Sequence, residues 1–84
     1  MKRDRQILLN CLGQAISARR DRLRLTQAEL AMRSGVDRAF ISNIENGKRN
    51  PSFSVLVDIA KGLNISLSLL MRHIDRNMQE HNAN

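Results

Sequence analysis

The stretch TQAELAMRSGVDRAFISNIENGKRNP, residues 26–51, decides the fold of this chain. Thr26, with Glu29 three positions later, has the pattern of a capping box and predicts that a helix begins there. Gly35 can adopt the left-handed conformation that ends a helix, so this helix has only two turns. A helix this short is unstable alone and must pack against other elements.

A second short helix follows directly. Asp37 is a suitable N-cap for a helix over about residues 38–46. Within it, Ile41 and Ile44 lie on one face, while the opposite face is polar. Two short helices joined by a glycine turn predict a helix-turn-helix over about residues 26–46, with the polar face of its second helix turned outward.

The remaining sequence predicts three more helices and no strand. The first helix of the chain spans about residues 6–23, the fourth about 53–62 and the fifth about 67–80. Residues 81–84 are polar and are expected to fray. We therefore predict one all-α domain of five helices that occupies all 84 residues. Its apolar stripes are Leu8, Cys11, Leu12, Ala15 and Ile16 in the first helix, and Phe53, Leu56, Val57, Ala60 and Leu63 around the fourth.

Two charged residues fall on inward-facing positions. The four-residue spacing of the first stripe, continued past Ile16, places Arg20 on the inner face, and Glu45 lies one turn beyond Ile41. A charge in such a position requires a partner. We therefore predict that Arg20 and Glu45 form a hydrogen-bonded ion pair between the first and third helices.

The charge balance favours a polyanionic partner. The chain has 14 Lys and Arg against 8 Asp and Glu, a net charge of +6. Charge alone does not separate nucleic-acid proteins from ribosomal or membrane-surface proteins. Within the basic run of residues 19–24, Arg22 and Arg24 are expected on a solvated face. Arg19 is placed to reach a phosphate near the corner between the first two helices.

Composition also limits compartment and chemistry. The single cysteine, Cys11, cannot form an internal disulfide and suits a reducing compartment. No apolar run approaches the roughly 20 residues of a membrane span, and the charged N-terminus lacks the apolar stretch of a signal peptide. We expect a cytoplasmic protein without a membrane partner.

No enzyme signature is present, so we do not expect an enzyme. His73 and His81 are eight positions apart and lack further ligands, which argues against a metal site, and no other cofactor is expected. With only two phenylalanines, a stacking platform for single strands or RNA is also not expected.

The polar face of the third predicted helix is the candidate site. In a helix-turn-helix the second helix lies in the major groove of double-stranded DNA. There Arg38 can pair with guanine and Asn43 with adenine, while the small residues Ala39 and Ser42 let the backbone approach closely. Asp37 has two interpretations, a structural cap or an acceptor for a cytosine amine, and the first is favoured.

Four segments in register resemble the Cro/C1-type helix-turn-helix proteins, also called the Xre family. They are TQAELA (26–31), GV (35–36), ISNIENG (41–47) and RNPS (49–52), and the resemblance extends over about residues 12–71. It implies a compact lambda-repressor-like fold, similar to phage repressors and the controller proteins of restriction–modification systems. It also implies a sequence-specific regulator, by default a repressor, that acts as a homodimer on a palindromic operator.

The resemblance assigns roles position by position. The base-reading positions of the family fall on Arg38, Ala39 and Asn43. Relatives often carry a polar side chain at the position of Ala39; an alanine cannot form a hydrogen bond to a base there and can make only an apolar contact. The ion pair of Arg20 and Glu45 is also implied. Backbone or supporting contacts to DNA fall on Thr26, Gln27, Phe40, Ser42, Asn46, Lys48 and Arg49.

The fifth helix carries more apolar positions than its own core requires. We therefore predict a dimer interface formed by Leu67, Leu70, Met71, Ile74 and Met78. The alternative function is an antitoxin that binds a partner toxin and represses its own operon. An antitoxin would need a dedicated extension that wraps the toxin, and residues 75–84 are short and polar, which disfavours this alternative. A protein partner, whether polymerase or toxin, stays open.

Overall fold

The computed structural model describes residues 2–83 of the chain. These residues form five helices and no strand, as predicted. The helices are α1 (Lys2–Arg22), α2 (Gln27–Ser34), α3 (Arg38–Glu45), α4 (Phe53–Gly62) and α5 (Leu67–Ala83).

The helix-turn-helix forms as its cap residues predict. The Thr26 side chain accepts from the Glu29 amide at 3.0 Å, and the Glu29 carboxylate accepts from the Thr26 amide at 2.9 Å. Gly35 has a left-handed φ of +72° and donates its N–H to Ala31 O at 2.9 Å, which ends α2. Asp37 then caps α3. Both short helices therefore begin at a residue whose side chain caps them, and α2 ends at a glycine in the left-handed conformation.

The outer boundaries of the fold differ from prediction. Helix α1 begins at residue 2 rather than 6, and no residue before position 6 marks a start for it in the sequence. Helix α5 continues through residue 83 instead of ending near 80. Residues 81–83 thus belong to α5, Asn84 lies outside the described residues, and fraying of this tail stays a prediction.

One apolar core lies where all five helices meet. Helix α1 packs against α3 and α5, and α2 packs against α3 and α4. Helices α2 and α4 approach each other closely at Gly62: a Cβ atom added to this glycine would lie 3.0 Å from Leu30 Cδ1. The most completely buried side chains are Ile16, Leu30, Ile41, Ile44, Ile59, Leu63 and Leu70.

Three predicted core residues do not lie in the core. Val57 is only half-buried and is not among the side chains that pack against the buried cluster, where Val55 lies instead. Phe53 is 71% exposed, because it lies in the first turn of α4, at the opposite end from the contact with α2. Leu8 is 42% exposed at the rim of an apolar groove between α1 and α5. Ile59, which the sequence interpretation omitted, is fully buried and completes the stripe of α4.

Candidate DNA-binding surface

The outer face of α3 is accessible and its inner face is not. Arg38 and Ala39 are exposed, and Asn43 is half-buried, whereas Ile41 and Ile44 are completely buried. Within residues 2–83, neither the Arg38 nor the Asn43 side chain forms a hydrogen bond or ion pair with the rest of the protein. The two side chains best suited to reading bases are thus available to a ligand.

Asp37 acts as a structural cap. One carboxylate oxygen, Oδ2, accepts from the backbone amides of Ala39 at 3.0 Å and Phe40 at 3.3 Å. These are N–H groups that have no partner inside a helix. The geometry favours the capping interpretation over acceptance from a cytosine amine.

The predicted ion pair holds α3 against α1. Arg20 donates from Nε to Glu45 Oε2 at 2.8 Å and from Nη2 to Oε1 at 2.9 Å, and a third bond runs from Nη1 to Leu25 O at 2.8 Å. The two side chains are 15% and 6% exposed. Hydrogen bonding to Glu45 raises the pKa of Arg20, and the charges of Glu45 and Asp21 act in the same direction while burial opposes them.

The same carboxylate positions the first residue of α2. Gln27 donates from Nε2 to Glu45 Oε1 at 3.1 Å. Gln27 then lines a shallow depression together with Arg38, Ala39 and Ser42. Glu45 therefore connects three helices and fixes Gln27 beside the N-terminal half of α3.

The exposed polar side chains of the loop after α3 include Asn46, Lys48 and Arg49. Gly47 turns the chain with a φ of +72°, and its carbonyl accepts from Gln6 Nε2 at 2.9 Å. The Lys48 amide donates to Asn43 O at 2.8 Å.

Arg49 folds back toward α3. Its guanidinium carbon lies 5.5 Å from the centroid of the half-buried Phe40 ring, within the range of a cation–π contact. The loop is thus held both to α1 and to α3.

Sequence interpretation missed three residues that position this surface. At Gly13 of α1, an added Cβ would lie 2.7 Å from Ile44 O, so α1 passes directly against the C-terminal end of α3. A glycine inside a helical pattern is a usable signal of such close approach. Gln6 and Asn10 have no comparable signal, because their role depends on a loop about 40 positions away.

Three residues that the sequence predicted as contact residues have other roles. Arg19, predicted to reach a DNA phosphate near the corner between α1 and α2, is held at the C-terminal end of α4 instead: its Nε donates to Leu63 O and its Nη2 to Asn64 O, both at 3.1 Å. The predicted interface on α5 is also corrected. Leu70 and Ile74 are 0% and 6% exposed because they belong to the protomer's own core.

The other three residues of that prediction remain at or near the surface. Met71 is 47% exposed, and Leu67 and Met78 are half-buried against the core.

Neither a membrane segment nor a metal centre is evident in the described chain. No single helix within residues 2–83 has the length and apolarity to cross a bilayer. Within the same residues, α4 and α5 reach the length and composition of a candidate membrane span only when they are taken together, across a bend of 102°. In the same part of the chain, no three His, Cys, Asp or Glu side chains are grouped to hold a metal ion.

Comparison with known proteins identifies the family. Residues 16–70 match the helix-turn-helix family model. The chain is 41% identical over 58 residues to the control protein C.MunI of a Mycoplasma species, covering 69% of this chain and 78% of that protein. This chain therefore belongs to the Xre-type helix-turn-helix family, whose members are transcription regulators and generally not enzymes.

Other relatives are longer. The immunity repressor of Bacillus phage phi105 is 37% identical over 60 residues, 71% of this chain and 42% of the repressor. An uncharacterized HTH-type transcriptional regulator of Mycobacterium tuberculosis is 40% identical over 58 residues, 69% of this chain and 41% of the regulator. The chain thus spans about two fifths of these two proteins.

Solved structures agree with the fold. The wild-type restriction–modification controller protein C.Esp1396I superposes with a TM-score of 0.83 at 32% identity, covering 88% of this chain and 96% of the controller. The C.Esp1396I tetramer in complex with its natural 35 base-pair operator gives a TM-score of 0.81 at 32% identity. It covers 86% of this chain and 95% of the controller chain.

Proposed function

We propose that this protein is a sequence-specific double-stranded DNA-binding regulator, and by default a repressor, acting in the cytoplasm. The observation that carries this proposal is the exposed polar face of α3, held rigidly by Glu45 and flanked by Lys48 and Arg49. An α-helix fits the major groove of B-DNA, and basic side chains beside it bind phosphates.

The residues divide by chemistry into two groups. Arg38 and Asn43 read bases, and Ala39 offers apolar contact to a thymine methyl. Phosphate or supporting contacts come from Thr26, Gln27, Phe40, Ser42, Asn46, Lys48 and Arg49. Gln27 keeps one N–H for a phosphate, because Glu45 engages only one hydrogen of its amide.

The protein acts as a homodimer on a palindromic site. One domain of this size buries too little surface for tight specific binding, so two recognition helices roughly 34 Å apart are needed. The core of the dimer interface is the accessible apolar groove between α1 and α5, which is rimmed by exposed Leu8 and Met71 and has Ile74 in its lining. The completely buried Leu70 is not part of it. Leu67 and Met78 flank it.

A regulatory role is favoured over an antitoxin role. The named relatives are a phage repressor and restriction–modification controllers. The solved neighbour on its operator indicates DNA as the ligand of that protein. Co-purification of a stoichiometric toxin would reverse this preference.

The test is selection of bound sequences from random duplexes, repeated with Asn43→Ala. The wild type should select a two-fold symmetric site. The variant should lose preference at one base pair per half-site, a discrimination of about 1–3 kcal/mol. Asn82→Ala, at an exposed position in the last turn of α5, is the control and should select the wild-type site. Uniform weakening on all duplexes would contradict base reading by Asn43.

A further inference from the structure

A basic cleft lies between α1 and α5. Its volume is about 280 Å³, and four basic side chains line it above the buried Ala15: Arg19, Arg22, His73 and Arg76. The proposed DNA-binding function uses none of them.

The cleft faces away from the DNA-binding surface. Gly13 marks the side of α1 that contacts the end of α3. Arg22 follows Gly13 by nine positions, which at about 100° per residue places it on the opposite side of α1. A ligand in the cleft would therefore not touch a duplex bound to α3.

The positive charge of the cleft is not neutralised by the protein. No carboxylate within residues 2–83 lines it. Asp21, next to Arg22 in sequence, instead lies 3.3 Å from Arg20, and Glu80 lines a separate depression beside His81. Among the described residues, Arg22 and Arg76 have no acidic partner within 4 Å, so their guanidinium groups are available to an anion.

Part of the cleft is fixed in place before any ligand arrives. Arg19 uses two of its five N–H groups on the carbonyls of Leu63 and Asn64, which leaves three for a ligand. Asn77, on the same wall as His73, donates from Nδ2 to Cys11 O at 3.1 Å and joins α5 to α1. A ligand therefore has to order Arg22 and Arg76 but not Arg19 or the junction of the two helices.

We propose that this cleft is a binding site for a compact, multiply charged phosphoryl anion. Planar guanidinium groups suit the paired oxygens of phosphate, and three of them converge here from two helices. The cleft is too small for a duplex. Because its walls come from both α1 and α5, a bound anion would also stabilise the contact between these two helices. This inference does not depend on the proposed DNA-binding function.

The experiment is a titration of the full chain, without DNA, with pyrophosphate at constant ionic strength, followed by amide NMR shifts. We expect saturable shifts confined to residues 15–22 and 73–77. The double variant Arg22→Gln/Arg76→Gln should weaken the affinity by about tenfold. The control Arg33→Gln/Lys61→Gln removes two charges from exposed positions on α2 and α4 and should keep wild-type affinity.

Three results would overturn the site. The first is a response that does not saturate or is equal in both double variants. The second is a response centred on Lys48 and Arg49, which would place the anion on the DNA-binding surface. The third is preferential binding of a hexaglutamate peptide over pyrophosphate, which would make the cleft a docking site for acidic protein segments. Circular dichroism of each variant verifies that it is folded.

Discussion

At the scale of single residues, Glu45 is the group that holds the DNA-binding surface together. Its carboxylate accepts three hydrogen bonds, two from Arg20 on α1 and one from Gln27 on α2. Because it is itself on α3, a single side chain sets the relative positions of three helices. Removing it leaves a mostly buried guanidinium without its main partner.

Glu45→Ala should therefore destabilise the protein by about 3–5 kcal/mol. Urea unfolding monitored by circular dichroism measures this change. Glu80→Ala removes an exposed carboxylate from α5 and is expected to change stability by less than about 0.5 kcal/mol. Equal effects of the two substitutions would show that the Arg20–Glu45 pair contributes little.

Arg49 should contribute affinity rather than sequence preference. Arg49→Ala is expected to weaken binding to all duplexes alike and to reduce the slope of log K against log salt by about one unit. Arg33→Ala, at an exposed position in the last turn of α2, provides the matched control. A slope unchanged by Arg49→Ala would remove this side chain from the phosphate contacts.

The stacking of Arg49 on Phe40 suggests a companion variant. Phe40→Leu keeps the apolar contact with the core but removes the aromatic face. It should reproduce part of the effect of Arg49→Ala, because the loop loses one of its two attachments.

At the scale of elements, the capping box of α2 makes stability depend on pH. Hydrogen bonds from the backbone and side chain of Thr26 lower the pKa of Glu29, and the charge of Arg33 adds to this. A carboxyl whose pKa is lower in the folded state stabilises the fold above its unfolded pKa, near 4.3. That contribution is lost as pH falls through the folded value.

Glu29→Gln tests this dependence. Glutamine preserves the capping box but cannot titrate. The variant should therefore lose less stability than the wild type between pH 5 and about pH 3, as measured by thermal unfolding. Parallel pH profiles for the two proteins would rule out a contribution from Glu29.

The elements also show what could be predicted from the sequence. Helices α2 and α3 were predicted nearly to the residue, because Thr26, Gly35 and Asp37 specify their ends locally. The start of α1 was not, since no cap residue marks it. Phe53 was misplaced because periodicity assigns a face but does not show where a neighbouring helix stops.

The candidate surface likewise has some features that the sequence predicts and others that it does not. The exposed face of α3 follows from periodicity and the cap, and the Arg20–Glu45 pair follows from charges on inner stripes. Gly13 carries a local signal, a glycine inside a helical pattern. The support from Gln6 and Asn10 depends on the distance between α1 and the loop after α3, which no local pattern encodes.

At the scale of the whole molecule, the apolar groove between α1 and α5 is the surface that a dimer would cover. Met71→Glu should shift the protein toward monomer at micromolar concentration, because a carboxylate would be buried at the interface. Sedimentation velocity measures the shift. Leu69→Glu is the matched control, since Leu69 is also exposed on α5 but lies about 200° around the helix. If wild type and both variants sediment alike as monomers, the dimer is excluded.

The central claim is that the outer face of α3, with the loop after it, enters the major groove. The most direct measurement is an amide and side-chain NMR map of the full chain bound to its selected duplex. The account predicts that the largest changes fall on Gln27 and on residues 38–49, including the Arg38 and Asn43 side chains. Changes centred on α1 and α5, with α3 unaffected, would contradict it.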